Sequence, residues 1–239
     1  MPFSKIALTF SFVFILVNGI FSINSLNPQR SPSSKKPCSE KVFEIIKKKM
    51  AIKSKYSINH PTLNLWDNWA VKDGKQINVY SLAASKKIGK QQRHFHAHWR
   101  HFYSNNYGKT WIDKGPIITN EDELIPTQSI WSGSIIPLNN KQYLAAYTRL
   151  EKRNKNKFFQ SISLATSDDG HHFKKINPKV PLLSHEYKRK EWKKLNYYIE
   201  LVDKIGRKLE KDRTIQALRD PFLFLDKKNK IHLFWAARE

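Results

Sequence analysis

From about residue 57 onward, short runs of apolar residues alternate with polar residues and are separated by turn residues. An alternation with a period of two is typical of β-strands whose two faces meet different surroundings. The pattern therefore predicts an all-β domain over residues 57–239. The predicted strands are Ile77–Leu82, His98–Tyr103, Ser134–Pro137, Tyr143–Thr148, Phe159–Thr166, Pro221–Leu225 and Ile231–Trp235.

Two segments follow a helical pattern instead. Residues 39–53 carry apolar side chains on one helical face with lysines opposite, and Ser39 is a suitable N-cap. This helix is predicted to pack on the main domain; a helix on a membrane surface is the alternative. It follows a Pro/Ser-rich linker over residues 26–37, so that 26–56 form linker and amphipathic helix. Residues 184–213 are charged and predicted to be a helical insertion between β units.

Two segments of the β region resemble each other. Ser104–Trp111 and Thr166–Phe173 each follow a predicted strand, and Gly108 aligns with Gly170. Each predicts a strand, a turn whose glycine takes a positive φ, and an aromatic residue that opens the next strand. A repeat on this scale indicates a β-propeller with loops inserted between its blades. The alternative is two unrelated hairpins in a β-sandwich.

The N-terminus has the pattern of an export signal. Lys5 precedes an almost entirely apolar run over residues 6–21, and small residues follow it. A basic start, an apolar run and small residues describe a signal peptide, here predicted over residues 1–25. The protein is therefore expected to be secreted or periplasmic. An uncleaved membrane anchor is the alternative, and it is the only case in which a membrane is an expected partner.

The chain is strongly basic, with 43 Lys and Arg against 20 Asp and Glu, a formal net charge of +23. Nucleic acid is not an expected partner, because the excess lies in lysine runs without a nucleic-acid motif and lysine is a poor bidentate reader of bases. Binding to acidic polymers or anionic lipid remains an alternative. The single cysteine, Cys38, excludes an internal disulfide framework.

Three short segments carry candidate chemistry: Leu65–Trp69 with Asp67, Ile130–Ser134 with Ser132, and Leu218–Pro221 with Asp220. Aromatic rings stack on sugars, and a carboxylate beside them can attack an anomeric carbon. An adjacent arginine favours an ionised aspartate. Taken singly, each has a plainer interpretation: a buried Asp in a turn, a Trp-Ser-Gly turn, and an Arg–Asp salt bridge.

In combination, the order Trp-Asp-x-Trp, Trp-Ser-Gly-Ser and Arg-Asp-Pro resembles the levansucrase-like enzymes of glycoside hydrolase family 68, which are related to invertases and fructan hydrolases. The resemblance covers roughly residues 57–239 and includes the stretch from His96 to Ser104. It implies a five-bladed β-propeller, here partial with about two to three blades. It also implies a retaining enzyme that acts on the fructosyl bonds of sucrose or fructans through a covalent intermediate.

The resemblance assigns roles by position. Asp67 corresponds to the nucleophile, and Asp220, held by Arg219, corresponds to the transition-state stabiliser. It implies neither a metal nor an organic cofactor, and a carbohydrate as the partner. The further candidates for substrate binding are Trp66, Trp69, Trp131 and Ser132.

The chain departs from the family pattern at its C-terminal end. The family's general acid/base is a glutamate in a later blade, well past Arg-Asp-Pro, and the terminal Glu239 is not assigned this role. We therefore expect a fragment or truncated product, a second polypeptide that supplies the missing blades, or a shortened descendant. Each predicts a chain that is weakly active or inactive alone. The alternative functions are a non-catalytic carbohydrate-binding propeller and a basic exported protein that binds acidic polymers.

Four histidines cluster at His94, His96, His98 and His101. If the first three lay in one strand they would share a face and could bind Zn or Cu. The interpretation we favour places inner-strand histidines along the propeller channel, or leaves them exposed, without a metal.

Overall fold

The computed structural model describes residues 11–12, 58–90, 92–121, 127–138, 142–152, 158–184, 190, 194 and 217–237. The chain divides into two compact units, one comprising Met1–Val17 with Asn59–Glu239 and the other Asn18–Ile58. All described residues except Ile58 belong to the first unit. The predicted helix over 39–53, the linker and nearly all of the predicted signal peptide lie outside the described residues. None of the described helical residues forms a helix long and apolar enough to cross a membrane.

The described part of the chain is built almost entirely from strands, joined at one point by a short 3₁₀ turn, Arg93–Phe95. The strands are β1 (Ser11–Phe12), β2 (Leu63–Asp73), β3 (Gln76–Ser85), β4 (His98–Ser104), β5 (Ile112–Ile118), β6 (Thr127–Pro137), β7 (Tyr143–Lys152), β8 (Phe158–Ser167), β9 (Lys174–Ile176), β10 (Leu183–Ser184), β11 (Leu218–Leu225) and β12 (Ile231–Ala237). The all-β prediction is confirmed. Of the predicted helical insertion over 184–213, Ser184 ends strand β10, Lys190 and Lys194 are helical, and the other residues lie outside the described ones.

The strands form three sheets that follow one another along the chain. The first is the antiparallel meander β2–β3–β4–β5. The second runs β6–β7–β8, with β9 and β10 both pairing antiparallel to β8. In the third, β11 pairs antiparallel with β12, and β1 pairs parallel to β12. Successive antiparallel sheets, each entered through its first strand, are the architecture of a partial β-propeller.

Apolar side chains fill the space between neighbouring sheets. The first and second sheets share a core that includes Tyr80, Trp99 and Tyr147, all fully buried. The second and third sheets share another core, in which Leu144 of β7 lies with Leu218 and Leu223 of β11. These two interfaces hold the first strands of the three sheets, β2, β6 and β11, side by side.

The repeated turns are confirmed in detail. Gly108 and Gly170 have positive φ values of 81° and 71°. In the first turn the Ser104 hydroxyl accepts a hydrogen bond from Gly108 N at 2.8 Å, and in the second Ser167 accepts one from Gly170 N at 3.0 Å. Each turn connects the third strand of its sheet to the next strand, so the repeat marks equivalent positions in two blades.

Candidate active site

Each of the three candidate motifs lies within the first strand of a sheet, at a β-bulge. Asp67 falls between Trp66 and Trp69 of β2, where two residues face one residue of β3. Ser132 is the extra residue of β6, opposite adjacent residues of β7. In β11 the irregularity lies between Arg219 and Phe222, and it contains Asp220. A bulge frees a residue from strand pairing and redirects its side chain, and bulges are common beside active sites.

This placement corrects two of the plainer interpretations. Asp67 is an exposed residue within a strand, not a buried residue in a turn, and Trp131-Ser132-Gly133 is a segment of strand β6, not a turn. Arg219 and Asp220 do form an ion pair, with Arg219 Nε 3.5 Å from Asp220 Oδ2. Asp220 is also connected to the Ser132 motif, because Thr148 Oγ1 accepts a hydrogen bond from Asp220 N and donates one to Ser132 O.

Both aspartates have left-handed backbone conformations, with φ of 49° at Asp67 and 54° at Asp220. Such a conformation costs an L-residue roughly 1–2 kcal/mol, although Asp tolerates it better than most residues. Strained residues of this kind persist where the surrounding structure imposes them, and they are concentrated at functional sites. Two of them in equivalent bulges of separate sheets indicate that the carboxyl groups are held in defined directions.

A chain of hydrogen bonds joins the three bulges. The Ser132 hydroxyl donates to Asp67 Oδ2 at 2.6 Å, which links β6 to β2. Thr148 Oγ1 of β7 donates to Ser132 O at 2.9 Å and accepts a hydrogen bond from Asp220 N at 2.9 Å. The backbone N–H that the bulge frees at Asp220 is thus bound by the second sheet. Asp67, Ser132 and Asp220 are thereby tied into one network across three sheets.

The electrostatics of Asp220 reflect its burial and the charges around it. Burial raises the pKa of Asp220, Arg219 opposes this shift, and the charge of Asp67 adds to it. The side chain of Asp220 is nonetheless 50% exposed. Protein atoms therefore surround the carboxyl group on enough sides to desolvate it while leaving it accessible to a ligand.

Two tryptophans flank this network. Trp66 precedes Asp67 and is partly buried, and Arg93 lies over its ring at 4.7 Å from the ring centroid. Trp131 precedes Ser132 and is 7% exposed, and its Nε1 donates to His94 O at 2.6 Å. The edge of the His94 ring lies against both indoles. The structure thus brings together Asp67, Asp220, Ser132, Arg219, Trp66 and Trp131.

Trp69 is placed differently. Its ring packs against Trp99 with the centroids 4.2 Å apart, in the core between the first and second sheets. The register pairs Trp66 with Leu82 and Trp69 with Tyr80, two residues apart in β3, so the extra residue of the bulge leaves both indoles on the same face of the sheet. Trp69 is therefore assigned to packing, and two other predicted site residues have packing roles as well: Trp66 packs against the same core, and Trp131 is buried in a neighbouring core with Leu150 and Phe158.

Gly133 is required by close packing. A Cβ atom at this position would lie 1.9 Å from Ala146 O and 2.8 Å from Trp99 Cζ2. Trp99 in turn donates its Nε1 hydrogen bond to Trp131 O at 2.7 Å. The glycine of the Trp-Ser-Gly-Ser motif therefore lets the first sheet approach β6 closely enough for Ser132 to reach Asp67.

The histidine cluster does not form a shared strand face. His94 lies in the 3₁₀ turn, His98 begins β4, and His96 between them is exposed. The zinc or copper alternative is wrong in its geometry, because it required His94, His96 and His98 to alternate in one strand. Within the described ranges, no group of three or more His, Cys, Asp or Glu side chains is placed to hold a metal ion.

Two residues of the site were not identified as such from the sequence. Thr148 is a buried residue in the middle of a regular strand, and nothing in its local sequence distinguishes it from a packing residue. His94 was noted only as part of a histidine cluster. Both act through contacts with residues more than 15 positions away, which a local pattern does not show.

Comparison with known proteins agrees with this architecture. Residues 35–237 match the family described as Levansucrase/Invertase. The extracellular sucrase of Zymomonas mobilis subsp. mobilis is 28% identical over 102 residues, which cover 39% of this chain and 24% of the sucrase. The structure of the inulosucrase from Halalkalicoccus jeotgali bound to kestose has 22% sequence identity and a TM-score of 0.50, with 74% of this chain and 42% of that chain covered.

The chain therefore belongs to the levansucrase/invertase family, and the resemblance found in its motifs is confirmed. The likeness to the inulosucrase structure supports the propeller-type fold. The matched region spans less than half the length of either relative.

Proposed function

We propose that this chain is part of an exported enzyme that cleaves or transfers the fructosyl unit of sucrose or a fructan. The observation that carries the proposal is the joining of Asp67 and Asp220, which are distant in the sequence and lie in separate sheets, through Ser132 and Thr148. Membership of the levansucrase/invertase family supports this substrate class. The export pattern over residues 1–25 supports the location, as does similarity to a protein named an extracellular sucrase.

In the proposed reaction, Asp67 is the nucleophile. Ser132 donates to Oδ2 of its carboxylate and so orients the group, while the other oxygen faces the sugar. That oxygen forms a bond to the anomeric carbon of the fructosyl unit as the bond to the leaving oxygen breaks. A general acid protonates the leaving oxygen, and water or a sugar hydroxyl then displaces Asp67 with loss of a proton to the conjugate base. No described residue is assigned as this acid/base.

Asp220 has a different proposed role. Its carboxylate is paired with Arg219, and the charge of Asp67 acts on it. A fixed carboxylate there accepts hydrogen bonds from sugar hydroxyls and stabilises the positive charge that develops on the ring in an oxocarbenium-like transition state. Trp66, Trp131 and Ser132 are proposed to bind the sugar, with the indole rings supplying apolar faces.

The proposal is tested by sucrose turnover in the expressed chain and in Asp67→Asn. Asn fits the left-handed backbone and keeps a hydrogen-bond acceptor for Ser132, but it is a poor nucleophile. We expect release of glucose to fall by roughly a thousandfold or more while sucrose binding is retained. The matched control is Asp168→Asn, an exposed aspartate in the turn after β8. Sucrose turnover that is as high in Asp67→Asn as in Asp168→Asn would contradict the proposed role of Asp67 as the nucleophile.

A further inference from the structure

The 3₁₀ turn between β3 and β4 is held by hydrogen bonds within itself and by contacts with the second sheet. Phe95 N donates to Gln92 O at 2.9 Å, and His96 N donates to Arg93 O at 3.1 Å. Trp131 Nε1 donates to His94 O, and the ring of Phe95 packs on Phe158 with the centroids 5.3 Å apart. The turn therefore holds His94 in a set position beside the first and second bulges.

The imidazole of His94 lies between the two site tryptophans. Its centroid is 5.6 Å from Trp66 and 6.2 Å from Trp131, and it meets both rings edge-on at 77° and 73°. The ring is half-buried, and within the described part of the chain neither of its nitrogens has a hydrogen-bond partner. The half-buried ring therefore keeps its capacity for a hydrogen bond with a ligand at its exposed side.

The surroundings keep this ring uncharged at neutral pH. Burial lowers the pKa of His94, and the nearby charges of Arg93 and Arg219 lower it further, against the opposing charge of Asp67. A neutral imidazole has one N–H donor and one acceptor nitrogen. Sugar hydroxyls also both donate and accept, so the ring is chemically matched to a sugar. The alternative is that His94 only fills space, a role that a phenylalanine ring would serve equally well.

We propose that His94 is a sugar-binding residue, whose imidazole hydrogen-bonds a hydroxyl of the saccharide bound beside Asp67 and Ser132. The inference rests on the proposed function, because it takes sucrose or a fructan as the ligand of the same site. It adds a contact from the 3₁₀ turn to those supplied by the three bulges, and it makes the connection between β3 and β4 part of the binding surface.

Calorimetric titration of the full chain with sucrose tests the proposal, with His94→Phe and His94→Gln as the variants. Phe keeps a ring of similar size but no polar atom, whereas Gln keeps a donor and an acceptor. We expect His94→Phe to weaken sucrose binding by roughly three- to tenfold and His94→Gln to stay within about threefold of the natural chain. His96→Phe, in the exposed neighbouring position, is the matched control and should bind sucrose normally.

A second measurement is made on the natural chain and does not depend on how well His94→Phe folds. The ring signal of His94 in the ¹H–¹³C NMR spectrum, identified by its loss in His94→Gln, should shift when sucrose is added, while that of His96 should not. An unshifted His94 signal would overturn the inference, as would normal binding by His94→Phe or equal losses in His94→Phe and His96→Phe. If the His94 tests fail while the natural chain binds sucrose and Asp67→Asn abolishes only turnover, the proposed function stands and the role of His94 is wrong. If the natural chain binds no sucrose, the proposed function and the role of His94 are both wrong.

Discussion

At the scale of single residues, the site depends on backbone conformations that most residues avoid. Asp67 and Asp220 are left-handed, and each lies in a bulge that holds one residue more than its partner strand. The side chains therefore leave the regular alternation of their strands. Asp suits these positions for two reasons: it tolerates the left-handed region, and it supplies the carboxylate on which the proposed chemistry depends.

Gly133 allows a sharp prediction at this scale. Replacing it with Ala would place a methyl group against Ala146 O and the Trp99 ring, neither of which has space to move away. We expect the free energy of unfolding to fall by about 3 kcal/mol, because overpacking forces the backbone apart. Urea unfolding measures this change. Gly89→Ala is the control: a Cβ there meets nothing within 4 Å, so stability should stay within about 0.5 kcal/mol. Equal stability of Gly133→Ala and Gly89→Ala would refute the close approach.

At the scale of elements, the site is assembled from the first strands of three sheets. Strands β2, β6 and β11 lie side by side, and the pairing of each with the next strand of its sheet is broken by a bulge at the candidate motif. The hydroxyl of Thr148 in β7 connects Ser132 O with Asp220 N, so a strand that carries no predicted site residue determines how β6 and β11 meet.

Thr148→Val is the corresponding test. Valine keeps the buried volume but removes the hydroxyl, which leaves Asp220 N without its partner. We expect a loss of about 1–3 kcal/mol in the free energy of unfolding, together with weaker turnover of sucrose in any active preparation. Thr148→Ser keeps the hydroxyl and should retain the turnover, with a smaller loss of stability from the missing methyl group. If Val and Ser variants behave alike, the hydroxyl has no positioning role.

At the scale of the whole molecule, buried histidines couple stability to pH in a chain that already carries a charge of +23. His101 is 2% exposed and stacks on Tyr80, and its Nε2 donates to Asn78 Oδ1 at 3.0 Å. Burial lowers the pKa of His101 to about 4, and the charges of His171 and Lys114 act in the same direction. Burial also lowers the pKa values of His94, His98 and His171.

The sign of the pH dependence follows from these shifts. Between pH 6.5 and about 4 the unfolded chain binds a proton at His101 before the folded chain does, so stability falls as the pH falls. His101 alone should cost about 2 kcal/mol between pH 7 and pH 5. The raised pKa of Asp220 has the opposite effect on stability, because the folded chain binds a proton there before the unfolded chain does as the pH falls.

Urea unfolding at pH 7 and pH 5 measures this dependence in the natural chain and in His101→Phe. The variant should lose less stability between the two pH values, by about the contribution of His101. His96→Phe, with an exposed ring, should keep the pH dependence of the natural chain. A variant His101→Phe with an unchanged slope would show that His101 does not titrate in this window.

The sequence alone determined the fold class, because strand propensity and alternation are local properties, and each of the seven predicted strands lies within a described strand. It also determined the candidate carboxylates, since the three motifs are short and contiguous. Strand β2 was not predicted, and β6 and β11 were predicted only beyond their bulges, because the extra residue at each bulge shifts the period.

Only the tertiary structure decided which of these residues meet. The packing of the sheets places Ser132 in contact with Asp67 and Thr148 in contact with Ser132. It also packs His94 against Trp66, and Trp69 against Trp99 in the core. These outcomes depend on contacts between distant sheets and on the direction in which each bulge turns its side chains. Neither quantity is encoded in the spacing of residues along one strand, so a local pattern cannot supply it.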